Sequence, residues 1–226
     1  KLDGEIWGFE SMGFFQNQQE VDSAPNQSQL WGGTWRPGDM RYADLNGDGK
    51  INFGNNTVDD PGDRKIIGNS TPRYSFGLSL GLNYKNFDFN TFLQGVGKRD
   101  AWIGNSALWG FTSEWNVPFE YAKDYWTPEN TDAYFPRLRF GNGGNSQTQT
   151  GYLQNAAYLR VKQLTLGYSL PNALTEKIKL SRIRVYASAQ NLFTFTSLFD
   201  AYDPEVFNFQ DAPQTKSIAF GLQLGF

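Results

Sequence analysis

From Ser217 to Phe226 the chain alternates at every position. Ile218, Phe220, Leu222, Leu224 and Phe226 are large and apolar, and Ser217, Ala219, Gly221, Gln223 and Gly225 are small or polar. A period of two predicts a β-strand with one apolar face. Arg73 to Tyr84 repeats the pattern: Tyr74, Phe76, Leu78, Leu80, Leu82 and Tyr84 alternate with Ser75, Gly77, Ser79, Gly81 and Asn83. Its apolar face opens and closes on tyrosine, the order expected where a strand crosses two membrane interfaces. Tyr84-Lys85-Asn86-Phe87 predicts a tight hairpin into a strand over Phe87 to Gly97. A further strand is predicted over Tyr158 to Leu170. There Leu159 and Val161 fall out of phase with Leu164, Leu166, Tyr168 and Leu170, so a bulge is expected between them. Arg182 to Phe195 reads as another strand, and Glu5 to Phe15, with glycines among its aromatics, as a sixth.

The connections carry a second pattern. Gln16 to Pro72, Arg99 to Ala157 and Thr196 to Lys216 are long, whereas Lys85-Asn86 and Pro171 to Ser181 are short, and the two kinds alternate. Membrane barrels separate their loops in this way, with short periplasmic turns and long external loops. The fold class expected is therefore all-β: an antiparallel transmembrane β-barrel segment, about six C-terminal strands of a larger barrel, with long extracellular loops at 16–72 and 99–157. Six strands fall short of the usual minimum of about eight, so the remaining strands are expected upstream or in other copies. The start at Lys1, with neither an initiator Met nor a signal-peptide core, agrees with a piece of something longer.

Composition changes this picture little. No run of 18 apolar residues offers a transmembrane helix, and the negative mean hydropathy is compatible with a barrel, whose lumen face and loops are polar. Aromatic residues make up 16% of the chain, enough for interfacial girdles or a sugar-stacking surface. The formal charge of −3 and the lack of a basic cluster argue against nucleic acid as a partner. With no His and no Cys, triads using either and the common zinc sites are excluded.

The sharpest local motif runs from Asp44 to Asn52. Asp44, Asn46 and Asp48 stand at positions one, three and five of a calcium-type loop, with Gly49 at the bend and the Lys50 carbonyl next. Position twelve is Asn55, not a bidentate Glu, so a later carboxylate from Asp59, Asp60 and Asp63 is needed, Asp63 being preferred. The metal expected is a structural Ca2+; the alternative is a loop held by Asx-turns without metal. The stretch from Trp102 to Trp126 holds Trp102, Trp109, Phe111, Trp115, Phe119, Tyr121, Tyr125 and Trp126. Those rings suit either glycan or peptide stacking or, as the preferred reading for most of them, a small core within the loop, and a short helix is expected near Pro118 to Trp126. Acid pairs such as Glu114 with Glu120, or Asp203 with Glu205, match a glycosidase only in type, and no enzyme activity or catalytic residue is assigned. Gly141 to Asn145 reads as a flexible loop without the strand-to-helix context of a phosphate cradle.

Several stretches together resemble the C-terminal part of the SusC/RagA family of TonB-dependent outer-membrane transporters. They are Pro37-Gly38-Asp39 leading to the Asp44 loop, Asp63 to Tyr74, Tyr158 to Lys162 with Leu166-Gly167-Tyr168, Asn191 to Thr196, Tyr202-Asp203-Pro204-Glu205, and the terminal strand. The resemblance implies a barrel of about 22 strands with an N-terminal plug that this chain lacks. It implies import of oligosaccharide or peptide through the outer membrane with a SusD-like lipoprotein as lid, driven by TonB–ExbB–ExbD acting on the missing N-terminal part. Outer-membrane lipid would be the remaining partner. The competing expectations are a secreted, calcium-stabilised β-sandwich that binds carbohydrate and, more weakly, a carboxylate-dependent glycoside hydrolase.

Overall fold

The computed structural model describes residues 2–30, 33–105, 108–109, 120–139, 143–206, 212 and 214–226. In chain order the strands are β1 (Glu5–Phe9), β2 (Ser11–Phe14), β3 (Met40–Tyr42), β4 (Arg64–Asn69), β5 (Arg73–Tyr84), β6 (Phe87–Lys98) and β7 (Asp100–Ala101). They continue with β8 (Gln154–Asn155), β9 (Tyr158–Ser169), β10 (Arg182–Gln190), β11 (Thr194–Thr196) and β12 (Ser217–Gly225). The helices α1 (Gln18–Ser23) and α2 (Asn172–Thr175) are short. The chain divides into a loop unit, Lys1–Thr71 with Asp100–Gln154, and a sheet unit, Pro72–Arg99 with Asn155–Phe226.

The sheet unit is a meander in the order β12-β10-β9-β6-β5, all antiparallel, with β11 paired to the start of β9. The register sorts side chains by face as the alternation predicts. One row across the sheet is Leu82, Phe89, Leu166, Ala187 and Phe220; the neighbouring row on the other face is Gly81, Asn90, Thr165, Ser188 and Ala219. None of the described residues covers the apolar face: Tyr74 is 77% exposed, Phe220 84%, and Leu78, Leu80 and Leu82 are exposed too. Among the described residues the sheet stays open, with β5 and β12 at its edges.

Two local features were legible. The hairpin turns on Lys85 and Asn86 alone, with Lys85 in the left-handed region at φ +53. The expected bulge lies at Lys162: Phe92 pairs with Gln163 and Leu93 with Val161, leaving Lys162 over. The strand expected over Arg182 to Phe195 is interrupted, however. Asn191, at φ +51, sits opposite the bulge and donates its backbone N–H to Lys162 O at 3.1 Å, so β10 stops at Gln190 and the chain resumes as β11.

The first expected strand is also corrected. Glu5 to Phe15 is split at Glu10, and both halves belong to the loop unit, β1 pairing with β4 and β2 with β3. Its alternation is weak, and Gly13 at φ +85 takes a conformation that a regular strand does not use. The loop unit has its own core of Phe9, Phe15, Leu30, Met40, Tyr42 and Ile51. Buried amides complete it. Gln27 donates through Nε2 to Met40 O (3.0 Å) and accepts from Tyr42 N–H (2.8 Å), standing in for a missing strand beside β3. Asp39, with no exposed surface, accepts from Arg36 N–H, Asn145 Nδ2 and the Arg139 guanidinium.

Candidate functional sites

The Asp44 loop is built on carboxylate-to-amide bonds. Asp44 accepts from Gly47 N–H (2.7 Å) and Gly49 N–H (2.8 Å), Asn46 from Asp48 N–H (2.9 Å), and Asp48 from Lys50 N–H (2.8 Å). The Gly49 amide above all, helped by those of Gly47 and Asp48 against an opposing effect of burial, holds the Asp44 carboxyl below its ordinary value. Asp63 is brought to the same loop but lies fully buried, its two oxygens accepting from Leu45 N–H (2.9 Å) and Asn52 N–H (2.8 Å). Asp60 instead caps Asn55 N–H (3.0 Å). The donor set has the all-oxygen chemistry of a hard cation, and each carboxylate keeps lone pairs beyond its amide bonds. The same bonds are also those of an Asx-turn loop. Among the described residues no three acidic side chains are gathered closely enough to hold a metal by themselves.

The aromatic stretch contributes packing where it is described. Trp102 lies 5.8 Å from Trp109, which meets Tyr152 edge-on at 4.8 Å, and Tyr152 contacts Tyr134 and Phe135. The Trp109 indole donates to Ile103 O at 2.9 Å, and Trp109 and Trp126 are buried. Phe111, Trp115, Phe119, Glu114, Pro118 and the Gly141-Asn142 pair lie outside the described residues, as does the Tyr121 side chain. The helix expected near Pro118 to Trp126 amounts, where described, to one 3-10 turn over Glu120–Lys123. Beyond it Asp124 and Trp126 exchange backbone bonds with Phe135, which ends any helical run.

The most ordered charged cluster is one that spacing alone did not reveal. Arg160, on the polar face of β9 and 3% exposed in its side chain, donates Nε to Thr194 Oγ1 (2.8 Å) and Nη1 to Glu205 Oε1 (2.7 Å). Its Nη2 reaches both Asp203 oxygens at 2.9 Å, and Lys162 Nζ adds a bond to Glu205 Oε2 at 3.0 Å. Asp203 and Glu205, after β11, are thereby tied to β9. This accounts for Asp203 and Glu205: both accept from Arg160, and Glu205 from Lys162 as well. Glu120 is exposed and, among the described residues, paired with Lys123. The one signal that could have found the cluster is that Tyr158 to Lys162 and Tyr202 to Glu205 both belong to the stretches carrying the resemblance.

At the end of the sheet where the short turns lie, Arg184 on β10 reaches across β9 to Asp88 on β6, with Nε to Oδ1 at 2.8 Å, and donates Nη1 to Gln223 at 3.1 Å. Gly167 makes that bridge possible, since a Cβ there would collide with both partners. This face carries small residues, amides and ion pairs, with Phe92 and Tyr186 among them, while the opposite face is mainly hydrocarbon and aromatic, interrupted by Thr91 and Ala187.

The sheet unit is thus an open antiparallel sheet with one apolar and one polar face, and the loop unit has a core of its own. Comparison with known proteins gives the chain's relatives. No family model matches the chain. It is 33% identical over 98% of its length to TonB-dependent receptor P3 of Formosa agariphila, and 30% identical over 100% of its length to TonB-dependent receptor SusC of Bacteroides thetaiotaomicron. It spans about a fifth of the length of each, 20% in both cases. Solved structures of the RagAB peptide transporter share the fold, with a TM-score of 0.64 at 24% identity over 100% of this chain and 23% of that one. A second, of the RagAB peptide importer in its open-open state, gives 0.63 at 23% identity. The chain is a segment related to the TonB-dependent receptors of the SusC/RagA kind.

Proposed function

We propose that this chain is wall and rim of an outer-membrane, TonB-dependent importer of glycan oligomers or peptides. The observation that carries the reading is the sheet unit's apolar face, five strands wide, left exposed by the described residues, and bordered by tyrosine at both ends of β5. In water such a face would be an aggregation hazard; in a bilayer it is the required surface. The single sheet layer also disfavours the soluble sandwich, whose apolar face would be covered by a second sheet. The short turns then lie on the periplasmic side, and the opposite ends of the strands on the outside. The polar face, with Asn90, Thr165, Gln163 and Gln190, lines the lumen.

The relatives are named as receptors, which supports a non-enzymatic role. A SusD-like lipoprotein over the rim, with TonB–ExbB–ExbD engaging the rest of the receptor, fits kinship with SusC and with RagAB. The Asp44 loop would take one Ca2+ through Asp44, Asn46, Asp48 and the Lys50 carbonyl, Asp63 bracing it from beneath, to stiffen the rim and not to react. The test of the main reading is fractionation of cells making the whole receptor. Recovery in the outer membrane, with a folded band whose mobility shifts on heating in detergent, is the expected result. A soluble, monomeric form would overturn it.

A further inference from the structure

Asn46 is exposed and is followed by Gly47, where a Cβ would meet nothing within 4 Å. Glycine, lacking a Cβ, hinders least the attack of its own backbone nitrogen on the side-chain amide of a preceding asparagine. In this loop, however, both reacting groups are given other partners. Gly47 N–H points back to Asp44 Oδ1 at 2.7 Å. The Asn46 carboxamide points forward: Oδ1 accepts from Asp48 N–H at 2.9 Å, and Nδ2 donates to Asp48 Oδ2 at 3.4 Å. Asp44 is itself fixed, its second oxygen accepting from Gly49 N–H at 2.8 Å. Taking the proton from Gly47 would forfeit a charge-assisted hydrogen bond and leave an amide anion against a carboxylate.

We propose that Asn46 is a latent modification site, a deamidation site that the Asp44 carboxylate holds shut. When Asp44 lets go, Gly47 N gives its proton to solvent and bonds to Asn46 Cγ. The Cγ–Nδ2 bond breaks, and the nitrogen leaves as ammonia with a proton taken from solvent. Water then opens the cyclic imide at either carbonyl, giving an aspartyl or an isoaspartyl residue. Both products add a negative charge to the loop. The isoaspartyl form also inserts an extra carbon into the main chain, just before Gly47 and Gly49, whose positive φ of +76 and +77 sets the turn. The inference depends on neither the importer reading nor a bound cation.

The experiment ages the whole receptor in detergent with chelator, so that no cation competes for Asp44, and follows isoaspartate at position 46 by peptide mapping. The same protein unfolded in urea without detergent sets the unguarded rate. The folded receptor is expected to convert at least about tenfold more slowly, the scale of one hydrogen bond to a charged acceptor. Asp44→Ala should bring the folded rate up towards the unfolded one. Asp44→Asn, which keeps an acceptor without the charge, should fall between. Asp60→Ala removes the neighbouring cap on Asn55 N–H and should leave position 46 as slow as before. Hydrogen-exchange protection of the Met40 and Tyr42 amides, bonded to Asn145 and Gln27, reports that the loop unit is folded. Should Asp44→Ala lose that protection, Asp44→Asn decides. Equal rates in the folded and unfolded receptor, no acceleration in the deciding Asp44 variant, or equal acceleration by Asp60→Ala would overturn the proposal.

Discussion

In the loop unit Phe9, Phe15, Met40 and Tyr42 are buried and Asp48 faces water; in the sheet unit Leu80, Phe220 and Leu222 are exposed while Arg160 is buried and Asp203 half-buried. One half obeys the rule for a protein in water, and the other inverts it. Both come from one chain of one composition, so the difference lies in patterning. Period two with glycine, serine and amides on alternate positions builds a sheet that presents hydrocarbon outward. Mixed glycines, aspartates and scattered aromatics build a loop unit that must collect its own core.

The comparison can be broken most forcefully at its two buried anchors. Arg160→Met leaves Asp203 without its cation and Glu205 with Lys162 alone, and loss of one partner from a buried cluster costs about 3–5 kcal/mol. The segment 197–206 should come loose, read as faster hydrogen exchange there with β5 and β6 unchanged. In the loop unit, Phe9→Ala empties a fully buried site against Tyr42 and Phe53 and should cost about 3–5 kcal/mol of that unit's local stability. Next comes Leu80→Arg, in the middle of β5. An exposed leucine in water would tolerate the change within about 0.5 kcal/mol, whereas on a lipid face the cost is about 2–4 kcal/mol. Equilibrium unfolding from vesicles separates the two.

A smaller difference concerns alkali. Burial pushes the Tyr42 hydroxyl well above its ordinary value, and it donates to Gly144 O at 2.6 Å. The unfolded chain ionises near pH 10, about the free tyrosine value, so stability is full below that and falls as pH rises beyond it. Protection in the loop unit should therefore decline above pH 10, about the point where free tyrosine titrates, and Tyr42→Phe should flatten that decline. Smallest, and specific to the Asp44 loop, is calcium. At a hundredfold excess over its dissociation constant the ion should add about 2–3 kcal/mol to the loop unit, reversed by chelator and absent in Asp48→Ala. No response to calcium would leave the loop to its Asx-turns.

Much of the sheet was legible because period two, unlike propensity, survives into the folded state residue by residue: β5, β6 and β12, the two-residue hairpin and the bulge at Lys162 all follow from it. What was not legible depends on partners remote in sequence. The break at Asn191 is set by the bulge it faces on β9. The diversion of Glu5 to Phe15 into the loop unit is set by β3 and β4, far downstream, competing for its edges. Arg160 reads as one lumen cation until the fold places Asp203 and Glu205, more than 40 residues later, against it. The calcium-type residues were found by spacing, but spacing did not show that Asp63 would be buried and turned to the loop's amides.

In the proposed importer the apolar face of the sheet meets lipid and the polar face water. The chain has no cysteine, so single cysteines at successive positions from Leu78 to Leu82 of the reconstituted receptor can each carry a spin label. Relaxation by oxygen, which concentrates in the bilayer, should be high at 78, 80 and 82 and low at 79 and 81, with an aqueous nickel reagent giving the opposite phase. Equal access of the nickel reagent to both sets would contradict the account.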